Sequence, residues 1–284
     1  IRVDERMLTS DPDIYAIGDA VENFDFTTGQ PVYSPLAGPA NKQGRQVAGD
    51  ICGLPFANTG TQGSAVVKLM DMTVAATGIN EKTARRLGLD YGVSYTFSPS
   101  HATYYPGAEQ MMIKTIYENG SGKILGAQIS GLSKVDKRAQ VFATAIRAGM
   151  TADDLTRIDL TYAPPYGSAK DPVNMAGYVV QNILNGLVRT IQYQDVIRLP
   201  RNGSVQLIDV RNPGEYEKGH IPDFINIPLD SIRDRMDEID KDKPVYVTCQ
   251  VGLRGYLAAR ILMQNGYDVW NLSGGYRIYK LMEG

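Results

Sequence analysis

The pattern of apolar and polar residues along the chain predicts three regions, residues 1–58, 59–188 and 189–284. The polar, glycine-rich stretch ANTGTQGS marks the first boundary, and from about Asp195 the pattern changes to alternating strands and helices. In the first region the apolar run Ile14–Ile17 predicts a strand, and a later helical pattern is expected to end near Gly53. One strand is too little for a complete sheet. We therefore expect the first region to be the remnant of a larger domain.

The middle region has the pattern of an α+β domain. Two strand patterns lead to a helix capped by Asn80, then to a third strand and to a hairpin whose turn is Asn119–Gly122. Apolar residues in the segment 135–146 recur at helical spacing. A proline-broken loop follows, and the next helix is expected to end at Gly186.

In the third region strands alternate with helices, which predicts an α/β domain with a parallel sheet. Residues 187–194 are expected to be a short connector into this domain. The segment DSIRDRMDEI, residues 230–239, is expected to be helical. The elements are predicted from VQLIDV, NPGEYEKG, INIP, DSIRDRMDEI, PVYVTC, RGYLAARILMQNG, YDVWNL and SGGYRIYK.

Composition limits the classes of function. The chain has 29 basic and 31 acidic residues and no long basic run, so nucleic acid is not an expected partner. No apolar run reaches the roughly 18 residues of a membrane span and no leader is evident, so we expect a cytoplasmic protein without a membrane partner. The two cysteines and two histidines are too scattered to predict a disulfide framework or a metal site. Since the chain opens with Ile1, we expect an N-terminal part to be missing.

Cys249 ends an apolar strand pattern and precedes a short loop and a helical pattern. Ligands of open parallel sheets bind at the carboxyl ends of strands, so Cys249 is expected to face a crevice. The first amides of the helix and the cation of Arg254 should stabilise a thiolate or a persulfide anion. An inert buried cysteine is the alternative. The loop residues expected to cradle the sulfur are Gln250, Val251, Gly252 and Leu253.

The loop length distinguishes two kinds of cysteine enzyme. Cysteine-based phosphatases with a comparable cradle place their arginine one position later, where this chain has Gly255. The smaller cradle suits a single sulfur atom better than a tetrahedral phosphate. Phosphatase activity is therefore disfavoured.

The segments LIDVRNPGEYEKGHIPDFINIPL, CQVGLRG and NLSGG resemble those of a rhodanese, a sulfurtransferase domain in which a cysteine carries a persulfide. The resemblance covers about residues 195–280. It implies that Cys249 accepts sulfane sulfur from a donor and passes it to an acceptor thiol. It also implies that Asp209 and Arg211 support the loop and that His220 orders a turn.

Two positions depart from the common rhodanese loop. Gln250 stands where an arginine is frequent, and Gly255 stands where a serine is frequent. The lower positive charge disfavours thiosulfate as the donor. The resemblance therefore implies a thiol persulfide or a polysulfide as the sulfur source.

The segments DIYAIGDA and PLAGPANKQGR resemble flavin-contacting segments of the pyridine nucleotide-disulfide oxidoreductases. The resemblance implies that Asp19, after Gly18, hydrogen-bonds a ribityl hydroxyl of FAD, and that Ala40 and Asn41 approach the flavin ring. A helix cap is the alternative role of Asp19. Cys52, at a predicted helix end, is expected to be structural.

The middle region resembles the dimerisation domain of the same family, which implies a homodimer. More narrowly, SHATYYPGA and TYAPPYGSAKDPVN are similar to segments of coenzyme A disulfide reductases and related NADH oxidases, in which tyrosines of one subunit reach the other's thiol site. The resemblance implies this role for Tyr104 and Tyr162. The alternative is that both only cover the dimer interface. Lys170 is expected to be solvated rather than bound to a phosphate of coenzyme A.

Together the resemblances imply part of an FAD- and NAD(P)H-dependent reductase of coenzyme A disulfide, persulfide or polysulfide, with sulfur carried on Cys249. The expected folds are a Rossmann-like remnant of an FAD-binding domain, an α+β dimerisation domain and a C-terminal α/β rhodanese domain. No nicotinamide domain or flavin-proximal cysteine is evident, so this piece is expected to bind FAD weakly and to perform only sulfur transfer. The alternatives are a water-forming NADH oxidase with an accessory rhodanese and a catalytically silent docking module.

Overall fold

The computed structural model describes residues 1–283 and arranges their strands in a small hairpin and two five-stranded sheets. The α-helices are α1 Ala37–Ile51, α2 Glu81–Arg86, α3 Val135–Arg147, α4 Ala152–Arg157, α5 Pro172–Leu184, α6 Tyr193–Val196, α7 Pro213–Glu217, α8 Leu253–Gln264 and α9 Gly275–Glu283. The strands are β1 Asn23–Phe24, β2 Pro31–Val32, β3 Ala65–Leu69, β4 Met72–Gly78, β5 Tyr91–Pro99, β6 Gln110–Glu118, β7 Ile124–Gly131, β8 Arg189–Ile191, β9 Gln206–Asp209, β10 Ile225–Asn226, β11 Val245–Thr248 and β12 Val269–Leu272. Short 3-10 helices lie at Gly18–Ala20, Leu229–Ser231 and Met236–Glu238.

The N-terminal region contains the β1–β2 hairpin and helix α1. The strand predicted at Ile14–Ile17 is wrong, because this stretch makes only an isolated bridge between Leu8 and Tyr15 before the 3-10 turn. No longer partner strand lies beside it in residues 1–283, so a ladder cannot extend. Helix α1 ends at Ile51, close to the predicted end near Gly53, whose φ of +77° reverses the chain.

The middle sheet has the order β3-β4-β7-β6-β5 and is antiparallel throughout. Helices α3 and α5 pack against it around a buried cluster that includes Phe142. The predicted hairpin is confirmed as β6 and β7, and the predicted cap is confirmed because the Asn80 side chain accepts the Thr83 N–H at 2.9 Å. Sequence patterns missed α4, which begins with a capping box between Thr151 and Asp154.

A buried ion pair fixes the loop that precedes α5. Arg138 on α3 donates to Asp171 at 2.6 Å, and the two side chains are 1% and 5% exposed. Asp171 also accepts the Val173 N–H as the cap of α5, and Arg138 donates to the Ser100 carbonyl at 3.1 Å. The pair therefore joins the β5–β6 loop to the start of α5.

The C-terminal sheet is parallel, as predicted, with the order β10-β9-β11-β12-β8. The expectation that residues 187–194 only connect two regions is wrong, because β8 within them pairs with β12 at the sheet edge. The helix predicted over residues 230–239 is also wrong. The chain forms two 3-10 turns there, since its apolar residues Ile232, Met236 and Ile239 pack onto the sheet without continuous helical hydrogen bonding.

The two large sheets contact each other through the β12–α9 turn. The Tyr95 N–H on β5 donates to the Ser273 hydroxyl at 3.0 Å, and the Arg277 guanidinium lies 5.0 Å from the centre of the Phe97 ring. The Gln192 amide also donates to the Val93 carbonyl. Within residues 1–283 no helix combines the length and the apolar character that crossing a bilayer requires.

Candidate functional site

Cys249 lies directly after β11, where the strand gives way to a tight loop before α8. The side chain is fully buried. Its sulfur accepts the Gly252 N–H, with a nitrogen–sulfur distance of 3.1 Å. Gly252 has a φ of +103°, a conformation that favours glycine and turns its amide toward the sulfur. The start of α8 thus supplies a backbone donor at the position where negative charge on sulfur would form.

The turn between β12 and α9 forms the floor of this loop. The Tyr276 and Arg277 N–H groups donate to the carbonyls of Cys249 and Gln250 at 2.7 and 3.0 Å. A Cβ atom on Gly275 would lie only 2.3 Å from the Cys249 carbonyl oxygen, and Gly275 has a φ of +60°. This position therefore requires glycine, and the turn determines where the cysteine backbone lies.

Arg254 makes an ion pair with two hydrogen bonds on the exposed side of the loop. Its two terminal nitrogens donate to the two carboxylate oxygens of Glu215 on α7 at 2.6 and 2.7 Å. These bonds lower the pKa of Glu215 to about 2, and the Asn212 N–H adds to the effect. The pKa of Arg254 is raised, first by the hydrogen bonds to Glu215 and also by the nearby Cys249. Arg254 therefore lies beside the thiol with its charge already compensated.

A second arginine supports the loop from within. Arg211 donates to Asp209 at 2.7 Å, and the two side chains are almost fully buried. Arg211 also donates to the Gln250 side-chain oxygen at 3.2 Å and to the Gly219 carbonyl at 2.8 Å. Its guanidinium lies 4.1 Å from the centre of the Tyr276 ring. This buried pair thus joins the loop to two neighbouring segments, in keeping with the supporting role that the sequence suggested.

Sequence patterns did not identify Glu215 or Asn271 as parts of the site. Glu215 is the third residue of α7 and forms a capping box with Asn212. The sequence pattern that could have identified it is a Glu three positions after an Asn. Asn271 is a polar residue within the apolar strand β12, and its amide donates to the Gly252 carbonyl at 3.1 Å. A Cβ on Gly255 would lie 2.2 Å from the Asn271 side-chain oxygen, so Asn271 occupies the space that a larger residue would need.

The remaining predicted cradle residues surround the sulfur mainly through their backbone. Val251 is half-buried and Leu253 is exposed, so neither side chain is held in the core. His220 stacks on Tyr216 with ring centres 3.8 Å apart, and its Nδ1 lies 3.0 Å from the Tyr216 carbonyl oxygen. His220 thus orders a local turn, as the resemblance implied.

Tyr104 and Tyr162 come from separate loops of the middle region and meet at their hydroxyls, 2.9 Å apart. Both side chains are exposed, at 76% and 47%. The hydrogen bond with Tyr104 raises the pKa of Tyr162. Their catalytic role stays a prediction. Lys170 in the second loop is exposed, in agreement with its expected solvation.

The four predicted flavin-contacting residues lie on one surface of the N-terminal region. Gly18 packs beside α1, where a Cβ would lie 3.6 Å from the Cβ of Ala40, and its N–H donates to the Gln43 side chain at 2.8 Å. Asp19 and Asn41 are exposed, and Asp19 lines an open cavity of about 330 Å³. The side-chain oxygens of Asp19 and Asn41 are exposed and can accept hydrogen bonds, and they lie next to the place where the Gly18 backbone packs closely on α1. This arrangement fits the edge of a flavin. Their role as ligands stays a prediction.

The two cysteines occupy different environments. Cys52 is exposed at the end of α1, where its N–H donates to the Ala48 and Gly49 carbonyls. Cys249 is buried in the parallel-sheet domain. In the part of the chain that the structure describes, no group of three or more His, Cys, Asp or Glu side chains is arranged to hold a metal ion.

Comparison with protein families matches two segments of the chain. Residues 64–172 match the pyridine nucleotide-disulphide oxidoreductase dimerisation domain, and residues 192–281 match the rhodanese-like domain. The domain boundaries proposed above differ from these limits by several residues and stay predictions.

Solved structures and a curated relative show similarity over much of the chain. The reduced CoADR-RHD of Bacillus anthracis is 52% identical with a TM-score of 0.96, covering 98% of this chain and 50% of that one. A NAD-dependent persulfide reductase from A. fulgidus is 41% identical with a TM-score of 0.88 and the same coverage. The NAD(P)H coenzyme A polysulfide/persulfide reductase of Pyrococcus horikoshii is 33% identical over 181 residues, which are 64% of this chain and 40% of that protein. The chain thus spans about half the length of the solved structures and about two fifths of that relative.

Proposed function

The chain joins a dimerisation domain of the pyridine nucleotide-disulphide oxidoreductase family to a rhodanese-like domain, and from this premise we propose that Cys249 carries sulfane sulfur as a persulfide. The observation that supports this proposal most directly is a hydrogen bond from the Gly252 N–H to the Cys249 sulfur, with a nitrogen–sulfur distance of 3.1 Å, at the end of a parallel strand. A backbone donor fixed at that place stabilises negative charge on sulfur without moving during the reaction.

The transfer balances with the chain's own thiolate as the nucleophile. The Cys249 thiolate attacks the outer sulfur of a persulfide R–S–SH, a new sulfur–sulfur bond forms, and the old bond to R–S breaks. The thiolate R–S⁻ leaves, and the hydrogen stays on the transferred sulfur. Oxidation state is conserved overall, because one persulfide is exchanged for another. The reverse reaction with an acceptor thiolate delivers the sulfur.

We further propose that the whole protein is a homodimeric, FAD- and NAD(P)H-dependent reductase of coenzyme A disulfide, persulfide or polysulfide. The relatives from A. fulgidus and Pyrococcus horikoshii are named as reductases of persulfide or polysulfide, which supports this substrate class. Bound FAD would supply two-electron reduction of a sulfur–sulfur bond. On this chain, Asp19 and Asn41 would hold it through their exposed polar groups, beside the close approach at Gly18 and Ala40.

The middle region would provide the dimer contact and part of the thiol site. Strand β3 at the edge of the sheet exposes Val66, Val67 and Leu69, each by more than half, which favours cover by a second copy. The paired hydroxyls of Tyr104 and Tyr162 could donate to a thiolate or an oxyanion of a bound ligand. A bound coenzyme A thiol would thus meet two phenol groups.

Intact mass spectrometry of this chain tests the sulfur-carrying step. We expect exposure to a thiol persulfide, followed by removal of excess donor, to add one sulfur atom to the wild type and none to Cys249→Ser. The other cysteine, Cys52, is exposed, so Cys52→Ser is the matched control and should still gain one sulfur atom. Sulfur that stays on Cys249→Ser, or is lost with Cys52→Ser, would contradict the assignment and favour a docking module.

A further inference from the structure

Two arginines whose side chains lie at the Cys249 loop, Arg211 and Arg254, are already paired with carboxylates of the chain. Arg211 is paired with Asp209 inside the domain, and Arg254 is paired with Glu215 through two hydrogen bonds of 2.6 and 2.7 Å. Gln250 adds no charge, and its oxygen accepts from Arg211. These two pairs therefore add no net positive charge to the loop, which presents the Gly252 N–H to the sulfur.

The two pairs differ in what an incoming molecule can reach. Arg211 and Asp209 are 2% and 0% exposed, whereas the side chains of Arg254 and Glu215 are 29% and 36% exposed. Of the two pairs, the Arg254–Glu215 pair is therefore the one that a sulfur donor in solvent can contact. The pKa of Glu215, about 2, keeps this carboxylate charged at any pH near neutrality.

Anionic sulfur donors differ in where their charge lies. Thiosulfate carries two negative charges on one small ion, and its three sulfonate oxygens need cations or several donors at the site of attack. A persulfide of a neutral thiol carries at most one charge, on the reacting sulfurs themselves. Like charges in a partly desolvated site repel one another strongly enough to discriminate between such donors.

We infer that Glu215 is a specificity-determining residue that excludes dianionic sulfur donors from Cys249 and leaves the site to thiol persulfides. The carboxylate acts in two ways: it neutralises Arg254, and it places its own negative charge beside the route to the thiol. This inference rests on the proposed sulfur transfer at Cys249. From the loop sequence alone, the preference against thiosulfate was attributed to Gln250 and Gly255. The structure adds Glu215 as a side chain that sets this preference.

Sulfur transfer from thiosulfate would balance in atoms and in charge. Electrostatic repulsion, not stoichiometry, would therefore prevent it. With thiosulfate, the Cys249 thiolate would attack the sulfane sulfur, the sulfur–sulfur bond would break and sulfite would leave with two charges. The product Cys249–S–S⁻ would carry one negative charge. The total of three negative charges is therefore the same before and after the reaction. Freeing Arg254 from Glu215 would give both the dianion and the leaving sulfite a cation.

The test compares two donors on the full chain, with cyanide as the sulfur acceptor and thiocyanate as the measured product. The donors are sodium thiosulfate and the persulfide of 2-mercaptoethanol. For Glu215→Gln we expect the ratio of kcat/KM for thiosulfate to kcat/KM for the persulfide to rise at least tenfold. Raising the salt concentration should shrink the gain, because it depends on charge.

Two further variants separate charge from geometry. Glu217→Gln removes an exposed carboxylate from the same helix and should leave the ratio within twofold of the wild type. Glu215→Asp keeps the charge but shortens the side chain, so its ratio should also stay near the wild-type value even if Arg254 shifts. Circular dichroism and thermal melts identify any variant that fails to fold.

The outcomes distinguish the inference from the function on which it rests. If the wild type transfers no sulfur from the persulfide, the proposed function fails. If the wild type uses the persulfide but Glu215→Gln leaves the donor ratio unchanged, the inference about Glu215 is overturned. An equal rise in Glu215→Asp and Glu215→Gln would also overturn it, since geometry rather than charge would then set the preference.

Discussion

The hydroxyls of Tyr104 and Tyr162 lie 2.9 Å apart, although 58 positions separate the two residues in the chain. The β5–β6 loop carries the first, and the loop before α5 carries the second. The Ala102 N–H donates to the Gly167 carbonyl at 3.0 Å and joins the two loops at their bases. The phenol pair is therefore a property of two joined loops rather than of one motif.

The first prediction concerns ionisation of this pair. Because the hydrogen bond with Tyr104 raises the pKa of Tyr162, Tyr104→Phe should lower the pKa of Tyr162 toward the ordinary tyrosine value. Ultraviolet titration of the phenolate absorbance would measure the change. Tyr33→Phe, which removes an exposed tyrosine in the N-terminal region, is the control and should leave Tyr162 unaffected. A Tyr162 titration that is the same in Tyr104→Phe and the wild type would contradict the pairing.

The second prediction concerns Lys134, whose amine lies between the two loops. It contacts His101 Nδ1 at 3.2 Å and the Pro165 carbonyl, while His101 Nε2 lies 3.1 Å from the Pro106 carbonyl. Since a carbonyl only accepts, Nε2 must carry the proton, and Nδ1 then accepts from the lysine. Lys134→Met should break this connection between the loops.

Hydrogen–deuterium exchange measures the result of that change. In Lys134→Met we expect exchange of the Ala102 amide, which donates to Gly167, to become at least fivefold faster than in the wild type. Lys137→Met alters an exposed lysine in the first turn of α3, just after Lys134, and should leave the loops protected. Unchanged protection in Lys134→Met would show that the backbone contact suffices without the lysine.

The third prediction concerns the buried Arg138–Asp171 pair. Arg138→Met leaves a buried carboxylate without its cation and should lower the free energy of unfolding by about 3–5 kcal/mol. The pair Arg157–Asp153 is largely exposed, so Arg157→Met should cost less than about 1 kcal/mol. Urea unfolding of both variants gives the comparison. If the two variants lose the same free energy of unfolding, burial would not make the Arg138–Asp171 pair more important for stability than the exposed pair.

The fourth prediction concerns Gly275 beneath the cysteine loop. Gly275→Ala places a methyl group 2.3 Å from the Cys249 carbonyl oxygen at a φ of +60°, so the loop must shift. We expect sulfur loading on Cys249, followed by intact mass, to become at least tenfold slower. Gly214→Ala on α7, where a Cβ meets open space, is the matched control. Normal loading in Gly275→Ala would show that the turn does not position the sulfur.

The fifth prediction concerns acid stability. The pKa of Glu215 is about 2 in the folded protein, below its ordinary value of 4.5, so its pairing stabilises the fold above that value and is lost as the pH falls toward 2. Solvent screening limits the contribution to about 1 kcal/mol. Between pH 5 and 2.5, the Tm of Glu215→Gln should fall less than that of Glu217→Gln. Parallel decreases in Tm would count against the pair.

The sequence by itself determined the fold classes of the middle and C-terminal regions and the position of Cys249 after a strand. These features follow from local patterns, since apolar spacing, turn residues and a strand–loop–helix junction act within a few residues. The same patterns failed at Ile14–Ile17 and at residues 187–194. Whether an apolar run becomes a strand depends on a partner strand, and the partner of β8 lies about 80 positions later.

Only the tertiary structure decided which charges face the sulfur. Arg254 was visible in the sequence as a cation near Cys249, but its pairing with Glu215 joins residues 39 positions apart. The Tyr104–Tyr162 contact and the glycine requirement at Gly275 likewise depend on where separate loops meet. Such contacts arise from packing between elements, which no local pattern encodes, and they determine the charge and the space around the cysteine.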